Sequence, residues 1–102
     1  MTDSVLEIVR FRLRDDATPE TFIRAAADSV AAISACPGFL SRRLVHDGAG
    51  GWTDVVEWAD MASAQTAAQA VLTNPALAPF LSMIDETSVE MAHPAIALAH
   101  AA

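Results

Sequence analysis

Two histidines at predicted strand ends are the first candidates for chemistry in this sequence. His46 ends one predicted strand beside a glycine-rich turn, and His93 ends another. Imidazole is the usual proton-transfer group near neutral pH, so both are candidate catalytic residues. The alternative is a solvated or capping role, which is more common for a histidine at a strand end. No HxH, HxxxH or HExxH spacing occurs, and the sequence therefore predicts no metal site.

Two tryptophans and an aspartate are the candidate ligand-binding residues of a third predicted strand. Trp52 and Trp58 are six positions apart and so share one face of the strand with Asp54. On a face covered by helices they would line a cavity for an aromatic molecule. Alternatively, Trp58 only packs beneath the following helix. Asp54 either pairs with an arginine of a neighbouring strand or is a buried carboxylate with a raised pKa.

Adjacent arginines in the second predicted strand supply a further candidate. Arg42 and Arg43 point to opposite faces, so one of them enters the covered side of the sheet. An unpaired arginine there would hold an acidic ligand bidentately, and Arg43 is the candidate ligand-binding residue. The alternative is a salt bridge to Glu57 or Asp54 on the adjacent strand.

The elements that must position these residues follow from hydrophobic periodicity and breakers. They are a strand over 5–13, a helix from Pro19 to the stop at 36–38, strands over 39–46 and 52–59, a helix over 61–73, a short helical turn over 76–81, and a strand from Ser82 or Met83 to Ala92. This βαββαβ order predicts an α+β, ferredoxin-like fold, in which a four-stranded antiparallel sheet carries two helices on one face. We expect one domain over residues 1–92 and a C-terminal tail over 93–102.

Each predicted helix has a capping residue and one apolar stripe. Thr18 caps the first helix, and Asp60 caps the second. The predicted buried stripe of the first helix is Phe22, Ala26, Val30 and Ile33. The predicted stripe of the second helix is Met61, Ala64, Ala68 and Val71.

Large aliphatic side chains occur on both faces of the predicted sheet, although two helices can cover only one face. In the first strand Leu6 and Ile8 oppose Val9 and Phe11. An uncovered aliphatic face is typical of an interface, so we expect it to pack against the same face of a second chain in a homodimer. The alternative is an ordinary half-solvated sheet with paired surface charges.

Composition excludes several classes of protein. The chain has 102 residues, a net charge of −7 and no lysine, so it lacks the basic footprint that nucleic acid requires. Hydrophobic residues make up 53%, but 22 of them are alanines, which leaves material for one modest core. No apolar run is long enough for a membrane span, and the single cysteine fits a reducing compartment. We therefore expect a cytoplasmic protein.

Three segments carry a family resemblance: CPGFLS at 36–41, VEWAD at 56–60 and TNPALAPF at 73–80. They resemble the PG-aromatic step, the EW-x-D junction and the S-P-x-F-x-x-F segment of the dimeric α/β-barrel superfamily, and the nearest group is the antibiotic biosynthesis monooxygenases. The resemblance covers residues 5–92. It implies a homodimer whose two sheets close into one barrel, with a ligand cavity between each sheet and its helices.

The function that this resemblance implies is oxygenation of a small apolar or aromatic metabolite without a bound cofactor. The superfamily hosts unrelated activities, so a non-catalytic small-ligand-binding or stress-responsive barrel is the alternative. A third interpretation gives the sheet face a role in dimerisation and the protein no other role. No histidine occurs between Asp47 and Ala92, so the haem ligation of haem-degrading relatives is not expected.

Overall fold

The computed structural model describes residues 4–102, which form a four-stranded sheet with its main helices on one face. In chain order the elements are β1 (Val5–Phe11), α1 (Pro19–Ser34), β2 (Phe39–His46), β3 (Trp52–Trp58), α2 (Met61–Thr73), α3 (Ala78–Ser82) and β4 (Glu90–Ala92), with 3-10 turns at Pro75–Leu77 and Glu86–Ser88. The strand order is β2-β3-β1-β4, and all neighbouring strands are antiparallel. The predicted ferredoxin-like fold is confirmed, while residues 1–3 of the predicted domain lie outside the described residues.

Side-chain caps start both long helices where the sequence predicts them. The Thr18 hydroxyl accepts a hydrogen bond from the backbone N–H of Thr21 at 3.2 Å, and the Thr21 hydroxyl returns one to the Thr18 backbone. The Asp60 carboxylate accepts from the backbone N–H of Ser63 at 2.7 Å. These caps satisfy backbone donors that the first helical turn leaves unpaired, and so they define the start of α1 and α2.

The helix faces differ from the predicted stripes at one position each. Val30 is 54% exposed and Met61 is 39% exposed, whereas Ser29 of α1 and Ala67 of α2 are buried. Ser29 is buried because its hydroxyl donates to the carbonyl of Ala26 at 2.6 Å and accepts from a charged side chain of the sheet. A polar residue with satisfied hydrogen bonds can therefore take a place that apolar periodicity assigns to valine.

The last strand is much shorter than predicted. A continuous strand from Ser82 or Met83 to Ala92 is wrong: α3 continues to Ser82, Ile84 forms one isolated bridge with Leu13, and the paired strand β4 covers Glu90–Ala92. The Asp85 carboxylate accepts from the backbone N–H of Thr87 at 3.0 Å, and this local bond favours the 3-10 turn over an extended backbone. Residues 93–102 contain no helix or strand. Among residues 4–102, no helix combines the length and apolar character needed to span a membrane.

The sheet face opposite the helices is uncovered in the described chain, as predicted. Ile8 of β1 pairs with Val55 of β3 at the centre of this face, and both are only partly buried. Val45 of β2 is 49% exposed. We call this the outer face, and we call the face beneath the helices the inner face.

Gly38 lies in the loop between α1 and β2, and a substitution there tests how tightly this loop packs on α2. Its φ is +83°, and an added Cβ would lie 2.5 Å from Cβ of Ser63. We expect Gly38→Ala to lower the free energy of unfolding by about 2–5 kcal/mol, because left-handed backbone strain adds to a steric clash. Chemical denaturation at fixed protein concentration measures this loss.

Gly48→Ala is the matched control for that substitution. Gly48 has a φ of +76°, but no atom lies within 4 Å of an added Cβ. This variant carries only the backbone strain, about 1–2 kcal/mol. Equal losses in the two variants would contradict the tight packing of Gly38 on α2.

Candidate functional site

A cavity of about 490 Å³ lies between the inner face of the sheet and α2 and α3. Most of its lining residues are apolar, and three are acidic: Glu7, Asp54 and Glu86. Its apolar walls are Val9, Phe11, Ile33, Val56, Trp58, Ala67, Ala68, Val71, Leu72, Leu77, Phe80, Leu81, Ile84, Val89 and Met91. This volume and lining suit a small, largely apolar molecule.

The alanines of α2 explain why the core does not fill this space. Two hydrophobic clusters, one around Phe22 and one around Trp58, both contribute walls to the cavity. Along the first part of the cavity α2 presents the small side chains of Ala67 and Ala68, and larger ones follow only at Val71 and Leu72. An alanine methyl extends only a short way beyond the backbone. The space between the two hydrophobic clusters is therefore left unfilled, and it forms the cavity.

An ion pair forms part of the polar floor of the cavity. The Arg42 guanidinium donates to both carboxylate oxygens of Asp54, with Nε–Oδ1 at 3.0 Å and Nη2–Oδ2 at 2.9 Å. Its third nitrogen donates to the Ser29 hydroxyl at 2.8 Å, and the guanidinium lies 5.1 Å from the centre of the Phe80 ring. Side-chain exposure is 9% for Arg42 and 11% for Asp54. Asp54 therefore lines the cavity as the partner of an arginine from the neighbouring strand, the first of the two roles predicted for it.

A β-bulge decides which arginine occupies the covered face. Phe39 pairs with Trp58 and Ser41 pairs with Glu57, so Leu40 is an extra residue in β2. An insertion of one residue reverses the faces of every side chain that follows. Arg42 therefore lies on the inner face, and the predicted ligand-binding Arg43 lies on the outer face, away from the cavity.

Glu7 and His93 form a second polar group at the cavity. Oε2 of Glu7 lies 3.5 Å from Nε2 of His93, and the two side chains are 12% and 27% exposed. Glu7 lines the cavity, whereas His93 contacts Glu7 and is not among the lining residues. Burial raises the pKa of the Glu7 carboxyl above its ordinary value, although the neighbouring His93 and the Trp58 indole act in the opposite direction.

Trp58 lines the same cavity and has an unused hydrogen-bond donor. Only 2% of the residue is exposed, and its indole nitrogen Nε1 has no hydrogen-bond partner among residues 4–102. The indole is close enough to lower the pKa of Glu7, yet it makes no hydrogen bond of normal geometry with that carboxylate. A buried N–H without a partner is uncommon, and this one belongs to a residue that lines the cavity beside Glu7.

His46 and Trp52 lie at the other end of the inner face. Their rings stack with centres 4.6 Å apart, and Trp52 packs edge-on against Phe22 at 5.0 Å. Both line a separate cleft of about 640 Å³ beside the glycine turn, together with charged residues such as Arg10 and Asp47, and neither lines the apolar cavity. Trp52 pairs with Phe11, four residues along β1 from Glu7, which corresponds to about 13 Å. The two candidate histidines are therefore not brought together.

Glu7 is the site residue that the sequence analysis missed. The signal was present, because Glu7 alternates with Val9 and Phe11 on one face of β1. An acid on an otherwise apolar strand face was the reason for selecting Asp54, and it applies equally to Glu7. Within residues 4–102, no three histidine, cysteine or acidic side chains cluster as metal ligands would.

The raised pKa of Glu7 predicts an unusual pH dependence of stability. Below the ordinary pKa of glutamate the carboxyl is protonated in both the folded and unfolded chain, so burial carries no charge penalty. As pH rises through the interval up to the raised pKa of the folded state, the unfolded state ionises first and stability is lost. We expect Glu7→Gln to increase the free energy of unfolding at pH 7, with the increase disappearing in acid, as measured by urea denaturation across pH.

A substitution at Asp47 is the control, because it should change the free energy of unfolding at pH 7 in the opposite direction. The backbone N–H groups of Ala49 and Gly51 donate to its carboxylate at 2.7 and 3.0 Å and hold the pKa of Asp47 below its ordinary value. This stabilisation is present above the ordinary pKa and is lost as pH falls through the depressed value. Asp47→Asn should therefore lower stability at pH 7 and not in acid. The same sign of change for both variants at pH 7 would contradict the burial argument for Glu7.

Comparison with solved structures places the fold among oxygenases and proteins of unknown function. SnoaB, a cofactor-independent oxygenase from Streptomyces nogalater, aligns with a TM-score of 0.73 at 17% identity over 95% of this chain and 96% of that chain. A protein provisionally named an antibiotic biosynthesis monooxygenase, from Chloroflexus aurantiacus, aligns with a TM-score of 0.65 at 19% identity over 97% and 98%. A dimeric ferredoxin-like protein of unknown function from Thermobifida fusca aligns with a TM-score of 0.70 at 16% identity over 91% of each chain.

The resemblance predicted from the sequence is confirmed at the level of the fold. No family model and no curated protein matches the sequence. Because the identities to these solved structures are below 20%, the alignments establish shared architecture and leave the reaction to be argued from the site itself.

Proposed function

We propose that the protein is a homodimeric barrel that binds a small hydroxylated aromatic molecule in its apolar cavity and oxygenates it without a bound cofactor. The observation that carries the proposal is the contrast between the apolar walls and one polar end, where the Glu7 carboxylate meets the unpartnered N–H of Trp58. Apolar walls hold the rings of such a molecule, and the polar end orients its oxygen and receives its proton.

Dimerisation of the outer face completes the proposed barrel. Ile8, Val55 and the exposed Val45 form an aliphatic surface that nothing covers within residues 4–102. Two such surfaces packed about a two-fold axis would remove them from water. The relative from Thermobifida fusca is itself dimeric, which supports this assembly. Sedimentation at micromolar concentration should give a dimer, and a monomer would contradict the barrel.

The proposed chemistry begins with proton transfer to Glu7. Its carboxylate takes the proton of a substrate hydroxyl, and the resulting anion, conjugated with an activated methylene carbon, is electron-rich enough at that carbon to react with O₂. One oxygen atom becomes a carbonyl on that carbon, and the other leaves as water with the two methylene hydrogens. Burial raises the pKa of Glu7 toward the working pH, as a general base requires.

His93 and Trp58 have separate supporting roles in this proposal. His93 holds the Glu7 carboxylate from outside the cavity at 3.5 Å and is a positioning residue rather than a group that touches substrate. The Trp58 N–H donates to the substrate oxygen on which negative charge develops. The predicted catalytic role of His46 is not retained, because His46 stacks on Trp52 outside the cavity.

Oxygen uptake tests the reaction directly. Hydroxylated anthrones should consume O₂ faster with protein than by spontaneous oxidation, with one O₂ used for each anthraquinone formed and with a chelator present. No acceleration across hydroxylated anthrones and naphthoquinols would contradict oxygenation. The same assay on protein denatured and then cleared by filtration gives the background rate.

A non-catalytic binding protein is the second candidate, and a specific observation favours it. The cavity walls are almost entirely apolar, and Asp54 is already neutralised by Arg42, which leaves few groups for catalysis. Native mass spectrometry of the dimer should then reveal a co-purified small molecule that returns unchanged after incubation in air. Conversion of that molecule would support the oxygenase instead.

A cytoplasmic location forms part of the same proposal. Cys36 is the single cysteine of the sequence and carries a free thiol, which suits a reducing compartment. Fractionation of the source cells should recover the protein with cytoplasmic markers.

A further inference from the structure

The charged groups around the cavity are unequally distributed. Three acids line it: Glu7 and Asp54 on the sheet, and Glu86 at an exposed position on the rim. The basic groups that face them are Arg42, beside Asp54, and His93, beside Glu7. Because acids outnumber bases at the cavity wall, the electrostatic potential there disfavours a negatively charged ligand.

Arg42 is not free to bind a negatively charged ligand in the cavity. Its Nε and Nη2 donate to Asp54 and its Nη1 donates to Ser29, so its hydrogen-bonding fork is occupied. An arginine that is free in a pocket would bind a carboxylate bidentately. Here a carboxylate ligand would have to displace Asp54, and displacement would leave that aspartate buried without its partner.

The polar end of the cavity is formed by the Glu7 carboxylate and the Trp58 indole. The Trp58 indole N–H is buried without a partner, and the Glu7 carboxylate offers an acceptor beside it. A neutral hydroxyl satisfies both, because its oxygen accepts from Trp58 while its proton goes to Glu7. A carboxylate can accept from Trp58, but it has no proton for Glu7 and would place two negative charges side by side.

From this geometry we propose that Glu7 is the specificity-determining residue of the cavity, which selects a neutral hydroxylated ligand over a carboxylate of the same shape. The inference rests on the proposed function for the location of the ligand, but it does not depend on any oxygenation. Glu7 discriminates by charge and by hydrogen-bond complementarity, while the aliphatic walls bind the rings of either ligand equally.

Isothermal titration calorimetry of the full chain with 2-naphthol and 2-naphthoate tests this proposal, because the two probes share one ring system. At pH 7.5 we expect the wild type to bind 2-naphthol about tenfold or more tightly than 2-naphthoate, since the loss of a hydrogen bond to a charged group alone accounts for such a ratio. Glu7→Gln should lower the ratio at least fivefold, mainly by strengthening 2-naphthoate binding.

Two further variants separate this role from general effects of charge or folding. Glu20→Gln removes one exposed acid of α1 that does not line the cavity and should leave the ratio unchanged. His93→Gln leaves the Glu7 carboxyl in place and removes the imidazole beside it, so discrimination against 2-naphthoate should persist or increase.

The outcomes distinguish this inference from the proposed function. Equal affinity of the wild type for both probes, or an unchanged ratio in Glu7→Gln, would overturn the role of Glu7 even if oxygen uptake is observed. If the preference for 2-naphthol depends on Glu7 but the protein consumes no O₂, the specificity role of Glu7 is supported and only the proposed oxygenation is contradicted. Failure of both probes to bind the dimer would overturn the cavity assignment, and the inference with it.

Discussion

Glu7→Gln is expected to lower kcat for oxygenation about 10²–10⁴-fold, the range typical of losing a general base. The amide matches the carboxylate in shape but cannot accept the substrate proton. Glu7 is the acid that lines the cavity beside the Trp58 indole. Unlike Asp54, it is not paired with an arginine within residues 4–102. Initial rates of O₂ uptake with a hydroxylated anthrone, corrected for spontaneous oxidation, measure the loss.

The pH profile distinguishes a catalytic role of Glu7 from a structural one. A base must be deprotonated, so kcat/KM should rise with pH through the raised pKa of Glu7. His93 lowers that pKa through its charge, and His93→Gln should therefore move the rising limb to higher pH with a smaller loss of kcat. Glu20→Gln serves as the unaffected control. Less than a tenfold loss of kcat in Glu7→Gln, or an unmoved limb in His93→Gln, would contradict proton transfer through this pair.

Arg42→Ala is expected to cost about 3–5 kcal/mol of unfolding free energy, as breaking a buried ion pair typically does. The substitution leaves the Asp54 carboxylate, 11% exposed in its side chain, without the three hydrogen bonds that Arg42 donates to it. It also removes the donor to Ser29 and the cation above Phe80. Urea denaturation at a fixed protomer concentration measures the loss, because dimerisation would otherwise shift the transition.

Two comparisons isolate the ion pair as the cause. Arg24→Ala removes an exposed arginine from α1 and should change stability by less than about 0.5 kcal/mol. The double variant Arg42→Met with Asp54→Leu replaces both charges with apolar groups and should recover most of the stability, because no buried charge remains unpaired. A loss below about 1 kcal/mol in Arg42→Ala would show that water reaches Asp54.

Local signals in the sequence were sufficient for the order of the elements and for the helix starts. Thr18 and Asp60 act within their own first turns, so their capping roles were predictable from neighbouring residues. The regular alternation of Trp52, Asp54 and Trp58 likewise identified one buried strand face, since β3 is uninterrupted. The helix caps and the buried face of β3 both depend on interactions or alternation among residues close together in the sequence, and both predictions are confirmed.

The sequence by itself therefore determined the order of the strands and helices, and it identified β3 as one of the strands that line the cavity. Only the tertiary structure decided which charges meet there. The bulge at Leu40 places Arg42 rather than Arg43 beneath the helices, and strand pairing brings His93 to Glu7 across most of the chain. Periodicity predicts the face of a side chain only while the strand is regular, and contacts between distant residues follow from the register in which strands pair.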